Sequence, residues 1–164
     1  MTENINNSNK GMIKMILLKE INEENFSKIV KMQKQEYVSP NVLSIAQAYL
    51  FPQAKPRAIY NEENELVGFV MYGPEPDQND QIWIWRLSID IPFQGKGYGR
   101  ATVKKVIENV LEEYPEEKQL WLSTNPNNER AINLYTSLGF KDTGKIAYDN
   151  ESVFLYKESI RNFV

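Results

Sequence analysis

One stretch constrains the chain more than any other: Trp83-Ile-Trp-Arg-Leu-Ser-Ile-Asp-Ile-Pro-Phe-Gln-Gly-Lys-Gly-Tyr-Gly-Arg100. Trp83, Ile84, Trp85, Leu87, Ile89 and Ile91 are aromatic, aliphatic or β-branched, which suits a strand buried on both faces. Pro92 lacks a backbone donor and stops regular pairing. Gly95, Gly97 and Gly99 then alternate with Lys96, Tyr98 and Arg100. Glycines at this density allow positive φ and a close backbone approach to a ligand. Leading into a helix, their N–H groups form an anion site, with Lys96 and Arg100 adding positive charge. A plain strand-to-helix turn is the other reading of the same residues. The spacing is neither Gly-x-Gly-x-x-Gly nor a P-loop, because no Gly-Lys-Ser/Thr follows.

Other chemistry is bounded by what is missing. The 164 residues contain no cysteine and no histidine. That removes thiolate nucleophiles, cysteine metal sites and the usual base near neutral pH, so no metal is expected. A net charge of −3 argues against a nucleic-acid partner. No apolar run reaches membrane-spanning length, so no membrane partner is expected. Residues 1–12 are polar and Asn-rich and read as a disordered tail, with 13–164 a single domain. A cytoplasmic location is expected from the missing signal segment and cysteines.

In chain order, the pattern predicts a strand at Met15–Lys19 and a helix capped by Asn22 and running to about Lys34. A second helix at Val42–Leu50 stops before Pro52. Strands at Arg57–Tyr60 and Leu66–Tyr72 flank an Asn61–Asn64 hairpin turn. After the glycine loop, Val103, Val106, Ile107, Val110, Leu111 and Tyr114 mark an amphipathic helix from about Gly97 to Glu113. Leu120–Leu122 is a short buried strand, so a right-handed βαβ crossover with parallel strands is expected. A helix ending at Leu138 is closed by Gly139, and strands Lys141–Ala147 and Ser152–Tyr156 follow. The fold class is therefore α/β (α+β).

The second informative segment is Asn128-Glu129-Arg130-Ala131-Ile132-Asn133-Leu134-Tyr135-Thr136-Ser137-Leu138-Gly139-Phe140. Helical geometry puts Asn128, Ala131 and Tyr135 on one side. Tyr135 alone reads equally well as a core aromatic with a wet hydroxyl. Together, Gln94-Gly95-Lys96-Gly97-Tyr98-Gly99 and Asn-x-x-Ala-x-x-x-Tyr-x-x-x-Gly-Phe resemble the two halves of the acyl-CoA site in GNAT N-acetyltransferases. That resemblance covers roughly Met15 to Lys157. It implies one domain with a mixed, mostly antiparallel twisted sheet of six to seven strands, a splayed parallel pair and about four helices.

The resemblance implies acetyl-CoA as cosubstrate. The backbone of Leu87, Ser88 and Ile89 would pair with the pantetheine arm, Gly95 to Arg100 would wrap the pyrophosphate, and Gln94 belongs to the same motif. Asn128, Glu129, Arg130 and Ala131 would line its far side, with Tyr135 near the sulfur. An amine attacking the acetyl carbonyl creates an oxyanion, for which the Ile89 N–H is the candidate donor. Tyr135 is the candidate donor to the leaving thiolate. The base that takes the amine proton stays open among Asp90, Glu36 and an ordered water chain.

Two features bear on the acceptor. Between Ala58 and Trp85 there is no Lys or Arg, while Glu62, Glu63, Glu65, Glu75, Asp77 and Asp80 accumulate. This reads either as a solvated hairpin or as a cation-attracting surface. Val38-Ser39-Pro40-Asn41, Ser44 to Tyr49, Pro56 to Tyr60 and Val67 to Met71 resemble bacterial spermine/spermidine (diamine) acetyltransferases, which implies that Glu36, Tyr37 and Trp85 face a small-molecule amine. A polyamine acetyltransferase, an enzyme acting on a protein N-terminus or other small amine, and a non-catalytic acyl-CoA-binding module all stay open, as does a homodimer.

Overall fold

Strand β4 is where the sheet changes character. The computed structural model describes residues 13–157, so the tail expected at 1–12 lies outside the described residues. In chain order the elements are β1 (Ile16–Glu20), α1 (Phe26–Val30), α2 (Asn41–Leu50), β2 (Lys55–Asn61), β3 (Leu66–Glu75), β4 (Gln81–Ile89), α3 (Tyr98–Glu113), β5 (Gln119–Thr124), α4 (Glu129–Ser137), β6 (Lys141–Ala147) and β7 (Glu151–Lys157). They build one seven-stranded sheet of order β1-β2-β3-β4-β5-β7-β6. Every neighbouring pair is antiparallel except β4 and β5, which are parallel. That mixed α/β architecture is the fold class expected from the sequence.

The parallel pair is splayed. Only Trp83 and Trp121 are in register, and beyond them the strands part. A bulge helps: Met71 pairs with Arg86 and Tyr72 with Ile84, so Trp85 is the extra residue on β4. The expectation of a strand buried on both faces therefore holds only for part of β4. Ile82, Trp83, Ile84 and Ser88 are buried, but Trp85, Arg86, Leu87 and Ile89 are part-exposed, because β5 has left their side.

Helices cover both faces. On one, Tyr98, Val103, Val106 and Val110 of α3 and Tyr135 of α4 pack on Val70, Tyr72, Ile82, Ile84, Leu120, Leu122 and Phe154. On the other, Ile29 of α1 and Ile45 of α2 pack with Ala58, Phe69, Met71 and Trp85. Trp83, Trp121 and Val153 form a smaller cluster beside Trp85.

The first helix is much shorter than the sequence predicts. Asn22 Oδ1 accepts from the amides of Glu24 and Asn25, and Asn25 Nδ2 donates to the Glu20 carbonyl. The Asn22 bonds are those of the helix cap expected there, and its carbonyl accepts from the Phe26 amide, but regular helix spans only Phe26–Val30 and stops short of Lys34. After Val30 the chain leaves helical geometry and runs towards the mouth of the splay.

Candidate active site

The parting of β4 and β5 opens a cleft of about 1110 Å³. One part is built by the end of β4, the glycine loop, α3 and α4. Asp90 donates its amide to Val67 of β3 at 2.8 Å. Alternation along an antiparallel strand then turns the N–H and C=O of Leu87 and Ile89 away from β3, towards the gap. β5 is no longer there to pair with that edge, and the Ile89 carbonyl on it is taken by the side-chain amides of Gln35 and Gln94.

Past the Ile91–Phe93 turn, Gly95 (φ 75°) and Gly97 (φ 91°) both lie in the left-handed region. Gly97 caps α3 with no side-chain hydrogen bond. The first amides of that helix consequently lack intrahelical partners and face the loop. Gly99 is helical and faces Leu134 of α4, and a Cβ there would sit 3.4 Å from Leu134 Cδ2, in ordinary contact. Arg130 Nη1 donates to Gln94 Oε1 at 2.8 Å, and Arg100 Nη2 to Ser137 Oγ at 2.5 Å. Unpaired helix amides flanked by two guanidinium groups suit a pyrophosphate. Donors on the open edge of β4 suit an amide-bearing arm, so these residues fit acetyl-CoA.

Tyr135 lies at the floor of the cleft, 8% exposed and against Phe140 with ring centroids 5.8 Å apart. Among the described residues its hydroxyl has no hydrogen-bond partner. Burial, with a smaller contribution from Glu151, pushes its pKa up to about 12. It is a phenol that keeps its proton at any ordinary pH.

The remaining wall carries acidic and aromatic groups beside Lys34 and Arg86. Glu36, Tyr37, Trp85, Glu75, Asp77, Tyr148, Asp149 and Glu151 line it. Burial raises the pKa of Glu75 above the ordinary carboxylate value, partly offset by the Asp77 amide and Tyr148. Tyr148 comes from the β6–β7 turn at φ 48° and sets its ring edge-on to Trp83, with centroids 6.1 Å apart. A side chain of that size seldom adopts this conformation. Desolvation first, then Glu75, lifts its hydroxyl to about 12. Tyr37 is raised too, first by desolvation and then by Glu36, with a further contribution from Glu129.

Most residues expected at the site meet in this cleft: Glu36, Tyr37, Trp85, Leu87, Ile89, Gln94, Gly95, Gly97, Tyr98, Gly99, Arg100, Asn128, Arg130, Ala131 and Tyr135. Three do not line it. Ser88 points to the opposite side of β4, where its hydroxyl donates to Asn41 Oδ1 at 3.1 Å. Lys96 lies over the Phe93 ring, 5.7 Å from its centroid. Glu129 occupies the first turn of α4, outside the cleft lining. Tyr98 contributes main chain only, since its ring is buried in the core beside Phe93. Asn128 spends its side chain capping α4, accepting from the Ala131 amide at 3.2 Å. Of the two carboxylates considered as bases, Asp90 caps the Ile91 turn and lies outside the cleft lining, whereas Glu36 lines it. Glu62, Glu63 and Glu65 belong to the β2–β3 turn and do not line the cleft. Gln35, Arg86, Tyr148 and Glu151 were missed. They carry no motif, and chain folding alone assembles them.

Comparisons with known proteins agree with this geometry. The pattern of the Acetyltransferase (GNAT) family matches residues 17–140. The chain is 33% identical over 149 residues to the spermine/spermidine N(1)-acetyltransferase of Bacillus subtilis (strain 168), covering 85% of this chain and 97% of that protein. It is 25% identical over 126 residues to N-alpha-acetyltransferase 30 of Saccharomyces cerevisiae, covering 73% and 70%. Its fold is similar to that of spermidine N-acetyltransferase from Vibrio cholerae, solved in complex with CoA and spermine (TM-score 0.64, 14% identity, 85% of this chain and 92% of that one). With a splayed β4–β5 pair, a helix that has no side-chain cap behind a glycine loop, and this family match, the chain belongs to the GNAT acetyltransferase family and is an acyltransferase.

Proposed function

We propose that this enzyme transfers an acetyl group from acetyl-CoA to a primary amine of a polyamine, spermidine or spermine, by direct attack with both substrates bound. The observation that carries the acceptor reading is the set of five carboxylates in the cleft lining, which Lys34 and Arg86 only partly balance. Arg100 and Arg130 stand where an anionic cosubstrate would lie, and Glu36, Glu75, Asp77, Asp149 and Glu151 line the same cavity. An acceptor with several separated cationic centres is attracted by such carboxylates and held in register by them. The Bacillus subtilis relative, named for spermine and spermidine, supports the same choice.

Bound acetyl-CoA supplies the activated acetyl thioester. In this reading the Ile89 N–H, aimed into the gap, holds the carbonyl oxygen as it gains charge. The Tyr135 hydroxyl donates to the sulfur as the C–S bond breaks. With its pKa at about 12, full proton transfer to a thiolate of ordinary pKa about 8.5 is uphill, so Tyr135 stabilises charge by hydrogen bonding and keeps its proton. The amine proton leaves through water towards the cleft carboxylates, Glu36 and Glu151 among them. The Asp and Glu side chains also favour charged distal nitrogens, while the reacting nitrogen must be neutral.

A panel of amines tests this reading: spermidine, spermine, a protein N-terminal peptide and free amino acids, each with acetyl-CoA. The polyamines are expected to be acetylated with the highest kcat/KM. Preference for the peptide would favour an N-terminal acetyltransferase, the activity named in the yeast relative.

A further inference from the structure

Ile89 ends β4, and its carbonyl oxygen accepts two side-chain hydrogen bonds. Gln94 Nε2 donates from the glycine loop at 2.9 Å, and Gln35 Nε2 donates from the α1–α2 connection at 2.7 Å. Gln94 in turn accepts from Arg130 Nη1 of α4 through its Oε1. An unbroken chain of polar contacts thus runs from α4 through the glycine loop and the end of β4 to the α1–α2 connection.

Gln35 is also the first residue of a turn. Its carbonyl accepts from the Val38 amide at 3.5 Å, and Glu36 and Tyr37 are the two corners. Both corner residues line the cleft. From Gln33 to Ser39 no helix or strand orients the backbone. The side-chain bond to Ile89 is therefore what fixes this turn against the sheet.

We propose that Gln35 is a positioning residue: through the shared Ile89 carbonyl it ties the placement of Glu36 and Tyr37 to the state of the glycine loop. The proposal rests on the reading of the cleft as an acetyl-CoA and amine site. A ligand that wraps the glycine loop holds Gln94 still. Gln94 then steadies the Ile89–Asp90 peptide, whose amide is already bonded to Val67. The acceptor that Gln35 needs is thereby set in place, and the turn is ordered before the amine arrives. Linkage makes the effect reciprocal, so an amine that orders the turn tightens the hold on the cosubstrate. Arg130 belongs to the same path, but it also faces the cosubstrate, so Gln35 isolates the effect.

Hydrogen–deuterium exchange of the full chain, with and without CoA, tests the coupling. In the wild type, CoA is expected to slow exchange in residues 35–39. Gln35→Met keeps the length and volume of the side chain but removes the donor. It is expected to reduce that protection by about fivefold, the worth of one net hydrogen bond, while the Kd for CoA stays within about threefold. Gln35→Asn, one methylene too short, should behave alike, and Gln35→Lys, a donor of similar reach, should restore most of the protection. In steady-state kinetics Gln35→Met should raise the KM for spermidine about fivefold with the KM for acetyl-CoA nearly unchanged. CoA-dependent protection that survives in Gln35→Met, or that is missing in the wild type, overturns the proposal. Failure of CoA to bind the wild type would remove both the proposal and the cosubstrate reading. Normal coupling without acetylation of any polyamine would remove the acceptor reading alone.

Discussion

Tyr135 and Glu151 line the same cleft, the tyrosine on α4 and the carboxylate at the start of β7. Burial, and then the Glu151 charge, keep the Tyr135 phenol protonated up to about pH 12. Glu151 is itself held by Ser123 Oγ at 2.5 Å. A permanently protonated donor suits a developing thiolate. Tyr135→Phe is expected to lower kcat by about 10²- to 10³-fold, the cost of removing one preorganised donor to developing charge. The KM for acetyl-CoA should change little, because the ring and its contact with Phe140 remain. A kcat within about twofold of wild type, with chemistry rate-limiting, would reduce Tyr135 to a core aromatic.

The same residue shapes alkaline stability. Its folded pKa lies above the unfolded value near 10, so the stability it contributes is complete below pH 10 and is lost as pH rises towards 12. Two pKa units correspond to a loss on the order of 2 kcal/mol over that window. Urea titrations at pH 9, 10 and 11 should show a shallower decline for Tyr135→Phe than for wild type. Parallel declines would contradict the burial assigned to the hydroxyl.

Acetyl-CoA at a hundredfold excess over its Kd should stabilise the fold by about 2.7 kcal/mol. Gly97→Val should remove most of that gain. At φ 91° a β-branched residue is strained, and the loop that presents the α3 amides must shift to relieve it. The free variant will also melt lower, so the ligand-induced increment is the quantity to compare. An undiminished increment would detach the glycine loop from cosubstrate binding.

Ser88 offers a contrasting substitution. Its side chain is buried on the α2 side of β4 and bonded to Asn41, whose amide also donates to the Ile29 carbonyl. Ser88→Ala should cost about 1 kcal/mol of stability through the lost buried hydrogen bond, with the KM for acetyl-CoA within about twofold. A large rise in that KM with normal stability would put Ser88 back at the cosubstrate.

The sequence made the cofactor side of the cleft readable because its residues are close in the chain and locally determined. Pro92 and the alternating glycines dictate the loop, and the spacing of Val103, Val106 and Val110 dictates the helix behind it. Ser88 lies between two cleft residues, and strand alternation turns its side chain to the opposite side. The amine side was hard to read because its parts come from distant segments. Gln35 is a residue of the α1–α2 connection, Glu75 ends β3, and Tyr148 and Glu151 flank the β6–β7 turn. Only the strand order and the connections between strands bring them together. The first helix stops at Val30 and not near Lys34, and Gln35 just beyond is tied to the Ile89 carbonyl of the sheet, a distant contact that the local pattern does not carry.

The acceptor is tested most directly by kcat/KM with acetyl-CoA for spermidine and for a monoamine of similar length, measured side by side at low salt. Carboxylates along the cleft should favour spermidine by at least about tenfold, and added salt should erode that advantage as the Debye length falls to about 8 Å at 0.15 M. Rates for spermidine should rise with pH while the reacting nitrogen loses its proton. Equal kcat/KM for the two amines at low salt would contradict the polyamine assignment and leave an N-acetyltransferase of another acceptor.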